Sequence, residues 1–351
     1  MAASTLAEVA KLAGVSPATA SRVLNGSSRK PGEDIAERVR QAAESLGYVP
    51  NAQAQALAKS STGLIGLVVH DIADPYFSAI ARGVQQVARE QHRMVLLATT
   101  GGTPVDEREA VAAFAARRAD SIVIAGTRST RTEDAAANLE LAAELDRYCR
   151  NGGQVAVVGQ PIVGAQETDG YHVVTIPNIA LAEKLATSLA GLHDGPFVII
   201  AGPAGLATSD ERIEGFQRGL AKASLSPAEV IRAGFNREGG FEAGKELASR
   251  IQPRQSGEPA LRHCIFAAND VMAIGAAASL RENGLRIPRD VAIAGFDDIE
   301  TLRDFRPSLS TVRLPLEEIG SLATLSTVEH HRETSGQITG QVILRRSTEP
   351  S

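Results

Sequence analysis

Two hydrophobic rhythms divide the chain. Over residues 5–49, apolar side chains recur at helical spacing in three short stretches, Leu6–Ala13, 17–24 and 35–46, with no β-rich run among them. From Leu64 onward the rhythm changes to short, nearly continuous apolar runs at 64–69, 94–99, 121–126, 154–159, 172–176, 197–202, 229–234, 264–268 and 291–296. Helical patterns such as 76–91 and 211–223 separate these runs. Strands that are apolar on both faces and alternate with helices predict doubly wound parallel sheets. So many strands exceed what one such sheet usually holds, which predicts two similar lobes. Between the two regions, PNAQAQALAKSSTG (50–63) opens at a proline and closes on a Ser/Thr/Gly cluster, the punctuation of a linker.

The first region has its own local logic. Thr5 is placed to cap a first helix with Leu6, Val9, Ala10 and Ala13 on one face. Gly14 can take the positive φ that ends it, Ser16 suits an N-cap, and Pro17 fits the first position of a second helix. That helix turns Ala20, Val23 and Leu24 inward and leaves Pro17, Ala18, Ser21, Arg22 and Asn25 outside. A major-groove reader has this layout, and so does an ordinary helical hairpin with a solvated face. Farther on, Asn51 can cap a helix over 52–59 whose one large apolar side chain is Leu57. At about eight residues it is too short to be stable alone in water and needs a partner.

Composition is close to that of soluble globular chains, with 43% hydrophobic and 22% charged residues, which excludes wholesale disorder. Aromatics make up 4% and Trp is absent, so the core must come from Ala, Val, Leu and Ile. The net charge of −5 argues against a surface coated for nucleic acid, but it is unevenly spread. Residues 1–62 carry +2 and the remainder −7, which suggests two jobs in one chain. Cys149 and Cys264 stand far apart without metal-like spacing and read as reduced thiols of a cytoplasmic protein. The first residues do not read as a secretory signal, and no apolar run is long enough to span a bilayer. AGPAGL (201–206) is not a dinucleotide fingerprint, there is no P-loop, and no catalytic triad or metal cluster can be assembled. No catalytic residue, metal or cofactor is therefore expected; His70, His172 and His263 read as structural or surface residues.

The head resembles the DNA-binding module of the LacI/GalR family of bacterial repressors. The matching residues are Thr5-Leu6, Val9-Ala10, Ala13-Gly14-Val15-Ser16, Ser21-Arg22-Val23-Leu24-Asn25, Tyr48-Val49-Pro50-Asn51 and Gln55-Ala56-Leu57-Ala58. The resemblance runs on through LIGLVVHDIADPYFSAIARGVQ, ERIEGFQRGL, AANDVMAIGA, VAIAGFDDIE and QVILRRSTEP, essentially the whole chain. It implies an all-α helix-turn-helix head over 1–50, a hinge helix and linker over 51–63, and an effector-binding and dimerisation body over 64–351. The body is similar to periplasmic sugar-binding proteins: two α/β lobes, one over about 64–174 and 307–338, the other over about 175–306 and 339–351. The implied function is a homodimeric, cytoplasmic repressor whose affinity for double-stranded operator DNA is set by a small effector, a sugar or sugar derivative. The alternative, a solute-binding protein of a transporter, shares the body but not the head.

Carried over residue by residue, the resemblance implies DNA contacts by Thr5, Ser16, Pro17, Ala18, Ser21, Arg22, Asn25 and Asn51, with Leu57 wedging into the minor groove. Asp34-Ile35 stands where the family usually has a Thr-Arg pair, which removes a phosphate contact. In the body, residues just after strands are the first place to look for a ligand. Arg212 suits vicinal hydroxyls or a carboxylate, although by itself it reads as a surface ion pair with Glu211 or Glu214. Asn269 and Asp297 follow strands and are implied ligand contacts, with Asp270 and Asp298 structural beside them. Asp74, Tyr76 and Phe77 resemble the family's Asn-Pro-aromatic loop, and Phe241 falls where some members stack an aromatic on a sugar. Gln160 and Pro177-Asn178 depart from the family by replacing acidic positions, which leaves the effector's hydroxyl pattern open.

Overall fold

A computed structural model of the chain describes residues 4–25, 31–49, 61–166, 168–193, 195–251, 262–328 and 338–350. It divides into two units, Met1–Gly63 and Leu64–Ser351. Asn51 and Leu57, with the expected hinge helix, lie outside the described residues.

The head is built from α1 (Leu6–Ala13), α2 (Pro17–Asn25) and α3 (Glu33–Ser45). Thr5 caps α1 reciprocally with Glu8: the Glu8 N–H donates to Thr5 Oγ1 at 3.3 Å and the Thr5 N–H to Glu8 Oε2 at 2.7 Å. Gly14 ends α1 at φ 66°, and Ser16 Oγ accepts from the Thr19 N–H at 3.1 Å to start α2. Val9, Ala10, Ala13, Ala20, Val39, Ala42 and Ala43 form the core. The third helix starts two residues earlier than its apolar pattern predicts, because Gly32 caps it and Glu33 and Asp34 occupy its first turn. Acidic side chains are favourable there, against the positive end of the helix dipole. Asp34 therefore supports the fold at the position where it departs from the family pattern.

The second unit holds two parallel sheets. The first lobe carries β1 (Leu64–Val69), β2 (Met94–Thr99), β3 (Ser121–Ala125), β4 (Gln154–Val158) and β5 (Tyr171–Val174) in the order β2-β1-β3-β4-β5. Their helices are α4 (Pro75–Glu90), α5 (Pro104–Ala116) and α6 (Ala135–Arg150). The second lobe carries β6 (Phe197–Ala201), β7 (Glu229–Arg232), β8 (His263–Ala267) and β9 (Val291–Ala294) in the order β7-β6-β8-β9. It is flanked by α7 (Asn178–Ala190), α8 (Ala207–Lys222), α9 (Arg237–Ala248) and α10 (Asp270–Glu282). Each of the nine apolar runs overlaps one of these strands, with β5 and β8 beginning one residue before their runs.

The return of the chain to the first lobe comes later than expected. Residues 307–313 were assigned to that lobe, but β10 (Thr311–Arg313) pairs antiparallel with β11 (Gln341–Ile343), and its neighbours bond to the second sheet. The Gly295 N–H donates to Ser310 O at 2.8 Å and the Asp297 N–H to Val312 O at 2.8 Å. Among the described residues beyond 306, α11 (Leu316–Val328) is the element that goes back, to lie along α4. A three-residue strand is too short to show a period in sequence, so its pairing was not readable there.

Helices α4 and α11 approach through reciprocal glycines: a Cβ on Gly83 would stand 1.9 Å from Glu317 O, and one on Gly320 would stand 2.1 Å from Ile80 O. With so few aromatics, the cores are mostly aliphatic, but the second lobe is centred on one ring stack. Phe216 and Phe266 lie 4.5 Å apart and nearly parallel, with Phe197 6.1 Å from Phe216. Both Phe216 and Phe266 are fully buried. Truncating Phe216 leaves a cavity that rigid neighbours cannot fill. Phe216→Ala is expected to lower unfolding stability by about 3–5 kcal/mol in urea titration followed by circular dichroism. A loss under about 1 kcal/mol would show that the stack does not hold the lobe together.

Candidate functional site

The carboxyl ends of both parallel sheets open onto one cleft of about 430 Å³. Its position follows from topology, since parallel strands leave loops and helix N-termini at that end. On the second-lobe side, α8 lies against α7 because Gly215 carries no side chain: a Cβ there would meet Ile179 O at 2.1 Å. This contact sets Arg212, on α8, beside Asn178, the first residue of α7.

The Arg212 guanidinium is 2% exposed and fully engaged. Nε donates to Asn178 Oδ1 at 3.1 Å, Nη1 to Ala268 O at 2.6 Å, and Nη2 to Asp297 Oδ1 at 2.8 Å. Its flat face lies 3.8 Å from the centre of the Phe296 ring. The alternative of a surface pair with Glu211 or Glu214 is thereby corrected: α8 turns this side chain inward. Asp297 and Asp298 take positive φ values of 114° and 57°, an unusual turn for non-glycine residues. The turn sends Asp297 to Arg212 and Asp298 to Arg313 and Arg345, each at 2.7 Å.

Burial pushes the Asp297 carboxyl up to about 7; Arg212 pulls it down and Asp74 pushes it up further. Asp298 is held below the ordinary value, because Arg345 and Arg313 outweigh the burial that raises it. Asn269 Oδ1 accepts the Met272 N–H at 2.8 Å to cap α10, so its amide nitrogen is the end it can offer the cleft. Asp270 is structural: its carboxyl accepts from Thr311 Oγ1 at 2.7 Å and the Ile299 N–H at 3.0 Å.

The first-lobe wall starts from Asp74, which caps α4 by accepting the Tyr76 N–H at 2.9 Å. Burial raises its carboxyl above the usual range, and Asp71 adds to the effect. Tyr76 and Phe77 meet edge to face at 5.0 Å, and Phe77 tilts against His70 at 5.5 Å. Asp74, Tyr76, Phe77, Arg212, Asn269 and Asp297 thus line one cleft, as the sequence grouped them.

Phe241 does not belong with them. It sits half-buried on α9, which packs against α10, and the second-lobe aromatic lining the cleft is Phe235. Phe235 comes three residues after strand β7 and directly after the apolar run 229–234, so the strand-end rule finds it. Its ring fits over Gly202, where a Cβ would come within 2.9 Å. His70 is also reassigned, from a structural or surface residue to a cleft wall. Its Nε2 lies 3.4 Å from Glu107, which accepts from Arg128 Nη1 at 2.6 Å. Burial works against ionising Glu107, but Arg128 and His70 outweigh it and hold the carboxyl below its usual value. Glu107 and Arg128 are far apart in sequence, and nothing local announced the pair.

A larger hollow of about 890 Å³ lies by α4, α11 and the turn Glu300–Asp304. Its charges already satisfy one another, with Arg82 between Glu300 and Glu317, and Arg313 and Arg345 on Asp298. In the head, Thr5, Ser16, Pro17, Ala18 and Arg22 are exposed, while Asn25 Nδ2 donates to the half-buried Ser21 Oγ at 2.9 Å. Among the described residues, no group of three His, Cys, Asp or Glu is placed to hold a metal, and no helix is long and apolar enough to cross a membrane.

Comparison with known proteins agrees with both parts. A family described as bacterial regulatory proteins, lacI family, matches residues 5–51, and a periplasmic binding protein-like domain matches 189–348. The chain is 30% identical to the HTH-type transcriptional repressor PurR of Vibrio campbellii over 321 residues, 91% of this chain and 89% of that one. It is 29% identical to PurR of Haemophilus influenzae over 353 residues, 98% of both chains. The Lac repressor dimer bound to operator and the anti-inducer ONPF matches with TM-score 0.78 at 22% identity, covering 99% of this chain and 100% of that one. The transcriptional regulator CelR in complex with cellobiose matches with TM-score 0.65 at 27% identity, covering 98% and 99%.

The raised Asp297 carboxyl has a measurable consequence. Between its unfolded value near 3.8 and about 7, the folded state binds a proton that the unfolded state releases. Stability from this group is therefore lost as pH rises through that window. The stability of the wild type relative to Asp297→Asn is expected to fall from pH 4 to pH 7 in paired urea titrations. A difference that is flat or rises with pH would contradict the assignment.

Proposed function

The chain belongs to the lacI family of bacterial regulatory proteins and is a DNA-binding transcriptional regulator, and from this premise we propose how it works. It acts as a repressor in the cytoplasm, where operator DNA lies, without catalysing a reaction. Two copies form the working unit, and a small effector bound between the lobes sets operator affinity. The single observation that carries the effector reading is the buried Arg212 anchor in the cleft at the shared strand ends, joined to Asn178 and Asp297.

The chemistry of the lining favours a neutral polyhydroxylated ring, a sugar or sugar derivative. Asp297 and Asp74 are acceptors for hydroxyl donors, Asn269 offers an amide, and Tyr76, Phe77 and Phe235 supply apolar surface for a ring face. Arg212 is a poor site for an anion, because its charge is already paired with Asp297 and three of its five N–H donors are spent on protein acceptors. The solute-binding alternative is not favoured: it leaves the capped three-helix head without a role. In the head, Arg22 is the exposed cation on α2 and is read as a contact to phosphate or base, with Ser21 beside it.

Arg212→Ala is expected to abolish the thermal shift given by whichever member of a sugar panel stabilises the wild type. Basal affinity for a duplex selected in vitro should survive. A retained shift would move the ligand out of this cleft. Arg22→Ala is expected to weaken binding to the selected duplex by about 1–3 kcal/mol and to reduce the salt slope by about one ion. Unchanged affinity and slope would remove α2 from the interface.

A further inference from the structure

The two lobes are joined at the cleft mouth by bonds that the chain makes to itself. The loop after β3 runs antiparallel to the loop that enters α8, bridging at Ser129 and Leu206. The Thr130 N–H donates to Gly205 O at 2.8 Å, and the Ala207 N–H donates to Arg128 O at 2.9 Å. The Thr208 N–H donates to Thr127 Oγ1 at 3.1 Å. Beside this ladder stands Gln160, which follows β4 in the first lobe. Its Oε1 accepts from Thr208 Oγ1 at 3.3 Å, and its Nε2 donates to Glu211 of the second lobe. Asn178 Nδ2 donates to the same Glu211 oxygen at 2.9 Å.

Gln160 is one of the positions where the sequence departs from its family's acidic pattern, and the clasp accounts for its amide. Glu211 is an acceptor only, and it takes two neutral amide donors, one from each lobe. A carboxylate at position 160 would face Glu211 with no proton to donate and a like charge. The amide also has an oxygen left for Thr208, so one side chain serves both polarities. The backbone bonds are open to any sequence; the carboxamide adds the side-chain contact on which the closure depends.

We propose that Gln160 is a positioning residue that clasps the second lobe to the first through Glu211 and Thr208 at the cleft mouth. Exchange of any ligand then waits on the parting of this clasp. The inference does not depend on what the cleft binds, and its test contains neither DNA nor effector, so its failure is separate from failure of the proposed function.

The test is amide hydrogen exchange at Thr130 and Ala207 in the full chain, with β3 and β6 as internal references. In the wild type both amides are expected to be protected well beyond exposed loops. Gln160→Glu is expected to speed their exchange at least tenfold, roughly the effect of losing about 1.4 kcal/mol of local closure. The swapped double variant Gln160→Glu/Glu211→Gln restores a donor–acceptor pair and should return exchange to within a few-fold of wild type. Glu211→Gln alone keeps the pair neutral and should stay protected, which keeps the proposal testable if Gln160→Glu also loosens the references. Unprotected amides in the wild type, or a swap that fails to rescue, would overturn the proposal.

Discussion

One buried guanidinium organises the body. Arg212 brings three segments from separate parts of the sequence to a single point: the start of α7 at Asn178, the end of β8 at Ala268, and the turn after β9 at Asp297. A cation 2% exposed is tolerable only because every nitrogen has an acceptor and its face has a ring. The arrangement is worth more as geometry than as net stability, since desolvation consumes much of the attraction of a buried pair. It fixes which oxygen of Asp297 faces the cation and which is left toward the cleft. It also lifts the first turn of α8 to the position from which Thr208 and Glu211 meet the opposite lobe.

That convergence needs backbones close together, and here the composition matters. The helix seams close on glycine: Gly83 against Gly320's helix, and Gly240 and Gly275 reciprocally, with Cβ positions 2.2 Å from Met272 O and 2.0 Å from Arg237 O. A chain with few aromatics and no Trp can pack this way, because its core is built from thin layers rather than large rings. The same thinness leaves room for the few aromatics it has to do particular work. Phe216 and Phe266 stack in the core, Phe296 carries Arg212, and Tyr76, Phe77 and Phe235 face the cleft.

The strands and the head were legible because their signals are local. Nine apolar runs need no distant partner to be recognised, and Thr5, Gly14 and Ser16 announce their helix ends within four residues. What lay beyond reach is pairing over long separations. Glu107 and Arg128 form a buried pair, and β10 finds β11 across about 30 residues; neither leaves a periodic trace. Likeness to the family points to Phe241, whereas position relative to strand β7 points to Phe235, which is not among the site residues expected from the sequence. Apart from Arg212, which lies in the second turn of α8, the cleft residues that the sequence identifies sit just after strands or at helix starts, where topology makes position informative.

Three aspartates show why residue type alone does not assign a role. Asp270 is fully buried, bonded to Thr311 and the Ile299 amide, and pushed well above the usual carboxylate range by burial and by Asp297. Asp297 is raised by burial while Arg212 opposes it, and Asp298, one residue on, is lowered between two arginines. The last two share one strained turn, so they cannot move independently. Asp297 looks onto the cleft, and Asp298 holds Arg313 on β10 and Arg345 after β11. The chain returns to the first lobe through α11 just beyond Arg313. Asp297 is thus one peptide away from Asp298, whose partner Arg313 stands just before the segment that re-enters the first lobe, so the cleft wall and the lobe crossover share one rigid turn.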